Sequence, residues 1–229
     1  MSSVAAIPWE PVWLSLRLSL VTVLILLVAG LPLAWWLATT RSRWKTPLEA
    51  VTALPLVLPP SVLGFYLLIF MGPQGAAGSL WQALTGHPLA FSFAGLVVAS
   101  CLYSLPFVVQ PLQAAFESLD RRAVEAAWTL GASALYTFVA VILPQTRRGL
   151  VTALVLGFAH TLGEFGVVLM VGGNIPGETQ VVSVAIYEQV ELLNYGVAAR
   201  LSAGLLAFSF VVLLLVYSIN RRWYVELKA

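Results

Sequence analysis

Apolar residues in this chain do not alternate with polar ones at the spacing of a half-buried surface helix. They run on, in five stretches at about 11–39, 48–71, 90–116, 149–171 and 197–219. Each is at least as long as the ~20 residues an α-helix needs to cross the ~30 Å of hydrocarbon in a bilayer. A helix that is apolar all round finds its burial in a core or in lipid, so the pattern predicts an all-α integral membrane protein with about five transmembrane helices. The stretch 179–190 is too short and too polar to span, and is expected to be an external helix or a re-entrant segment. The first stretch lacks a basic leader and exceeds the roughly 7–15 apolar residues of a signal-peptide core, so it reads as a retained span.

Composition narrows the class. Of 229 residues, 60% are hydrophobic and 10% charged, against about 25% charged in an average soluble domain. The position of the charges sets the orientation. Arg41, Arg43 and Lys45, then Arg121, Arg122, Arg147 and Arg148, then Arg221, Arg222 and Lys228 are ten of the twelve basic residues, and all fall on one side of the spans. Basic loops stay in the cytoplasm, which puts the N-terminus outside and the C-terminus inside. Trp9 and Trp13 at the outer end, with Trp35, Trp36, Trp44, Trp223 and Tyr224 at the inner end, fit interfacial belts. The single cysteine, Cys101, excludes an intramolecular disulfide.

Two of the spans contain groups that lipid tolerates poorly. Leu54-Pro55-Leu56-Val57-Leu58-Pro59-Pro60-Ser61-Val62-Leu63-Gly64 puts three prolines at membrane depth. Interrupted helices survive there only where protein or a water-filled cavity satisfies the freed backbone. Pro59, Pro60 and Gly64 are therefore candidates for lining a translocation path; Pro106 and Pro111 add kinks to the third span. The fourth span carries His160-Thr161-Leu162-Gly163-Glu164-Phe165-Gly166. An ionisable residue inside a span points to function. His160 and Glu164, four apart, are expected to share a helix face and pair. Together with Thr161 and Gly163 they read as path or gate candidates; a clasp to a neighbouring helix and a proton relay are the other readings. Gly157, Gly163 and Gly166 permit close helix approach or local unwinding. Outside, Asn174-Ile175-Pro176-Gly177-Glu178-Thr179 is turn chemistry, and Asn174, Pro176, Gly177 and Glu178 are candidates for docking an external partner. Arg17 and Arg200, near the outer ends of their spans, are expected to snorkel or to pair with Glu10, Glu188 or Glu191.

What the sequence lacks is equally informative. There is no G-x-x-x-x-G-K-[ST] phosphate loop, no cluster with metal-ligand spacing and no nucleophile–base pair. The chain is therefore expected to have no catalytic residues, no metal and no cofactor of its own. No internal repeat of the kind found in some secondary transporters is evident.

The cytoplasmic loop after the third span points to a partner. Asp120 is placed to cap a short helix beginning at Arg121, Gly131 to end it, and Ser133 to cap a second helix running toward Phe138. This predicts a helix–turn–helix along the cytoplasmic face, with a low surface at Ala126, Ala127, Gly131 and Ala132 and a registering charge at Glu125.

Glu125-Ala126-Ala127, then after three intervening residues Gly131, and later Ile142-Leu143-Pro144 resemble the EAA loop of ABC-importer permeases, with Val141 where that pattern usually has isoleucine. Leu54 to Pro60, Gly163-Glu164-Phe165-Gly166 and Asn174 to Thr179 are similar to the molybdate permeases of that group, over about residues 11–222. Sulfate/thiosulfate permeases share the proline-rich and GEFG-like segments. The resemblance implies a type I importer permease fold forming one domain over 1–229, with residues 120–144 as its coupling loop. It implies a permease working as a homodimer in the bacterial cytoplasmic membrane. Two separate ATPase subunits carrying ATP-Mg would dock on Glu125, Ala126, Ala127, Gly131, Leu143 and Pro144. A periplasmic oxyanion-binding protein would deliver molybdate, or else sulfate, thiosulfate or tungstate. A proton-coupled carrier using His160 and Glu164 is the reading from a different class.

Overall fold

A computed structural model describes the backbone of residues 8–226, with the side chains of 215, 216 and 219–226 outside the description. The expectations for Arg221, Arg222, Trp223, Tyr224 and Lys228 thus fall outside the described residues. The described chain is all helix: α1 Trp9–Thr39, α2 Lys45–Val57, α3 Pro60–Met71, α4 Ala76–Thr85, α5 Phe93–Glu117, α6 Arg121–Thr129, α7 Ala134–Thr137, α8 Leu143–Gly163, α9 Gly166–Gly172, α10 Val182–Glu191 and α11 Tyr195–Glu226. A single π turn, Phe138–Ile142, joins α7 to α8.

Among the described residues, four helices are long and apolar enough to cross a membrane: α1, α5, the continuous run Ala134–Gly163, and α11 over Tyr195–Leu214. A fifth crossing exists if α2 and α3 count as one span, but the pair is bent by 112°. The interruption expected at the prolines of the second stretch is present as the break between α2 and α3, because Leu58 and Pro59 each precede a proline and are held extended (ψ 135° in both). One boundary is corrected. The fourth stretch starts at the cytoplasmic loop and stops at Gly163, with α9 resuming only at Gly166. In α5, by contrast, Pro106 and Pro111 lie inside an unbroken helix.

The core forms where α1, α5 and α8 meet. Leu26, Leu37, Val108, Val109, Leu112 and Ala153 are buried together there. Glycine brings α8 against α5: a Cβ on Gly157 would sit 2.5 Å from Val108 Cγ2, and one on Gly149 would collide with Ala115. A second cluster, including Leu18, Leu96, Val168 and Val184, joins α1 and α5 to α9 and α10. The external helix expected at 179–190 is α10. Its first turn takes a cap from another element: the buried Ser15 hydroxyl accepts from Val182 N (2.7 Å) and donates to Pro11 O (2.9 Å). On the cytoplasmic side, Gln113 of α5 donates to Glu49 of α2 (2.7 Å), and Lys45 pairs with Glu117 (3.3 Å) and Glu49 (3.7 Å). The outer ends of α3 and α9 are closed by one loop, in which Ala90 N donates to Met71 O and Phe91 N to Val171 O.

Gly157→Leu overpacks the α5–α8 seam and is expected to destabilise by about 1–3 kcal/mol. Gly204→Leu, where a Cβ meets nothing within 4 Å, is expected to be neutral or mildly stabilising. Thermal midpoints of the purified variants in detergent provide the check.

Candidate functional site

Proline and glycine place two helix interruptions at the same spot. A Cβ on Gly166 would lie 2.8 Å from Pro60 Cβ, and one on Gly64 would lie 2.8 Å from Met170 Cβ. The start of α3 is therefore flush against the start of α9, and the Pro59-Pro60 break faces the Glu164-Phe165 break. Between them opens a cleft of about 480 Å³, lined by Pro60, Tyr103, His160, Gly163, Glu164 and Gly166 among others.

The backbone groups freed by the breaks find partners locally. Val62 N (2.9 Å) and Leu63 N (3.2 Å) donate to Pro59 O, and Leu58 N donates to Leu54 O. Glu164 N reaches Thr161 O (3.3 Å), Leu169 N reaches Phe165 O (2.8 Å), and the Ser183 hydroxyl of α10 donates to Glu164 O. The breaks are thus built features, held by protein in the way a bilayer requires.

The expected His160–Glu164 pair does not form. Helix α8 ends at Gly163, and Glu164 is extended (ψ 134°), so it leaves the face that carries His160. His160 instead turns to α5: Nδ1 lies 2.9 Å from Ser104 Oγ, and the ring stacks on Phe107 (centroids 3.8 Å apart, 22° between planes) beside Tyr103. Ser104 also meets Thr161 Oγ1 at 2.9 Å, and Thr161 donates to Gly157 O. These contacts clasp α5 to α8 at mid-span. The Glu164 side chain is 4% exposed, and neither carboxylate oxygen has a hydrogen-bond partner. The Ser100 hydroxyl faces it without reaching hydrogen-bonding geometry. Such a group costs stability.

The outer face is ordered by one threonine. Thr179, fully buried, donates to Gly172 O (2.7 Å) and accepts from Ile175 N (3.1 Å). Gln180 links Asn174 (2.8 Å) to Glu188 (2.6 Å). Gly177 turns at φ +78°, with Glu10 Oε1 2.9 Å from where a Cβ would be. Asn174, Pro176, Gly177 and Glu178 are exposed together. Of the two outcomes expected for Arg17, snorkelling or pairing with a glutamate, the pairing is not seen among the described residues; Arg17 is exposed and its guanidinium lies 4.5 Å above the Phe93 ring, a cation–π contact.

The cytoplasmic loop forms largely as its capping residues predict. Asp120 Oδ1 accepts from Arg122 N (3.0 Å), and Ser133 Oγ accepts from Tyr136 N (3.2 Å). Gly131 (φ +80°) closes α6: Gly131 N donates to Trp128 O and Ala132 N to Ala127 O, the paired bonds of a Schellman ending. The second helix expected from Ser133 toward Phe138 is α7, which continues through the π turn into α8. Only Val124 of α6 is buried, while Leu130 (88% exposed), Leu135, Tyr136 and Trp128 face outward. Glu125, Ala126, Gly131 and Pro144 are exposed with them, and Ala127 and Leu143 are half-buried. Exposed apolar side chains clustered beside charged ones are a surface of the kind that partners cover.

Sequence reasoning passed over Ser15, Ser104 and Ser183. A small hydroxyl in an apolar run gives no direction. Its only signal is that a polar group inside a span must find a partner there.

A family model described as "Binding-protein-dependent transport system inner membrane component" matches residues 30–224. The molybdenum transport system permease protein ModB of Azotobacter vinelandii is 57% identical over 208 residues, which is 91% of this chain and 92% of that one. The sulfate transport system permease protein CysT of Escherichia coli (strain K12) is 37% identical over 193 residues, 84% of this chain and 68% of that one. Among solved structures, the inward-facing MetNI methionine ABC transporter superposes with TM-score 0.72 at 19% identity, covering 94% of this chain and 95% of that one. A bacterial alginate ABC transporter in complex with an alginate pentasaccharide-bound periplasmic protein gives 0.73 at 17% identity, covering 93% and 78%. The fold is that of the type I importer permeases.

Replacing the unpartnered carboxyl by an apolar side chain of similar length, Glu164→Met, is expected to raise stability by about 1–3 kcal/mol. At about 2–4 °C per kcal/mol, the thermal midpoint should rise by several degrees. An equal or lower midpoint would mean that the carboxyl contributes to folding.

Proposed function

Since the chain belongs to the binding-protein-dependent transport system inner membrane component family, we propose that it is the permease of an ATP-driven importer carrying molybdate across the cytoplasmic membrane. The permease is a transport subunit with no enzymatic activity of its own. The substrate is proposed from the molybdenum permease that is 57% identical over nearly the whole of both chains. The observation that carries the mechanism is the cytoplasmic tip, capped at Asp120 and Ser133, turned at Gly131 and apolar outward. It suits a groove on a separate ATPase, with Glu125, Ala126, Ala127, Gly131, Leu143 and Pro144 as the contact set. Two permease copies with two ATPases carrying ATP-Mg complete the assembly. A periplasmic binding protein docks on the outer loop at Asn174, Pro176, Gly177 and Glu178.

In this reading transport runs by alternating access. Closure of the ATPase dimer draws the two tips together. Helices α5 and α8, which flank the tip and are packed through glycine, carry the motion to the cleft. Inverting a 1:99 ratio of states takes about 5.5 kcal/mol of differential binding, which a rigid contact transmits and a loose one dissipates. No lysine or arginine lines the cleft, so the path offers the dianion no cationic well in which to stall. Selectivity rests with the external protein. Sulfate is the second reading, supported by the sulfate permease that is 37% identical.

The test is anion uptake into proteoliposomes holding this chain, its ATPase and its binding protein. Molybdate uptake is expected to need internal ATP and all three proteins, with sulfate competing weakly. Uptake by this chain alone under a proton gradient would refute the assignment, and preference for sulfate would change the substrate. Gly131→Pro and Glu125→Lys are expected to lower uptake by about 5–150-fold, the range of coupling energies of about 1–3 kcal/mol, with normal membrane insertion. Glu164→Gln should cost less than either.

A further inference from the structure

We infer that Ser104 is a positioning residue that fixes the tautomer of His160, so that the path meets a hydrogen-bond acceptor and not a donor. Counting protons leads there. The Thr161 hydroxyl has one hydrogen and gives it to Gly157 O at 2.9 Å. In its 2.9 Å contact with Ser104, Thr161 therefore accepts, and Ser104 gives up its only hydrogen. Toward His160 Nδ1, also 2.9 Å away, Ser104 has only a lone pair to offer, and the hydrogen sits on Nδ1. All donors then run one way, from His160 to Ser104 to Thr161 to Gly157. Ser104 is fully buried and Thr161 nearly so, so water does not redistribute these protons.

With Nδ1 committed and one ring face covered by Phe107, the polar atom left to the cleft is Nε2, bearing a lone pair. This deepens the reading of the cleft as a translocation path and rests on it. An oxyanion presents oxygen acceptors, which a bare lone pair does not hold, whereas water can donate to it. His160 thus keeps the cleft wet without binding the passing anion.

The chain has two histidines, His87 and His160, and His87→Asn leaves one. Nitrogen NMR of this full-length variant, with 15N-labelled histidine in lipid nanodiscs, reads the tautomer whether or not the chain transports anything. The expected signal is a neutral ring protonated at Nδ1, the reverse of the form that predominates for free histidine in water. Ser104→Thr should keep that signal, and Ser104→Ala should lose it. A ring protonated at Nε2 or at both nitrogens, or an unchanged signal in Ser104→Ala, would overturn the inference. In the uptake assay, Ser104→Ala should lower the maximal rate and Ser104→Thr should restore it. Equal rates in the two variants would overturn the role in transport while leaving the permease assignment intact.

Discussion

Inside a bilayer every backbone donor and acceptor must find its partner within the protein. The arrangement of this molecule follows from that. Two helices stop in mid-membrane, one because consecutive prolines hold the chain extended and one after Gly163. Neither break could face lipid. The solution is to put them against each other, with Pro60 on Gly166 and Met170 on Gly64, and to bring in Ser183 for the carbonyl that remains. The cleft follows directly: two interrupted helices leave a gap that two continuous ones would close.

The same economy governs how motion reaches that gap. Helices α5 and α8 are joined by close packing at Gly149 and Gly157 and by the Ser104–Thr161–His160 contacts. Packed interiors do not deform continuously, so a displacement of the cytoplasmic tip travels along both helices as one piece. In the proposed alternating-access cycle it would be absorbed where the ladder of hydrogen bonds is already interrupted, at Glu164-Phe165 and at Pro59. The breaks that wall the cleft would then also serve as its hinges. The unpartnered Glu164 carboxyl sits at one of them, a stability cost at a place whose geometry matters more than its strength.

Much of this was legible in the sequence. Apolar runs gave the spans. The caps at Asp120 and Ser133 and the turn at Gly131 appeared where their side-chain chemistry requires. The misreadings share one cause. A four-residue spacing implies a shared face only while the helix continues, so the His160–Glu164 pair failed when α8 ended between them. The contact of Arg17 with an aromatic ring went unread because Phe93 lies beside it in space and not in sequence. The buried serines were unreadable for the same reason: their partners come from other helices.

The way α6 is anchored bears on the life of the chain before assembly. One buried valine holds that helix, and Leu130, Leu135 and Tyr136 are left bare in the cytoplasm. In the proposed assembly the ATPase would cover this apolar surface, so a copy without its partner would carry the cost of leaving it in water.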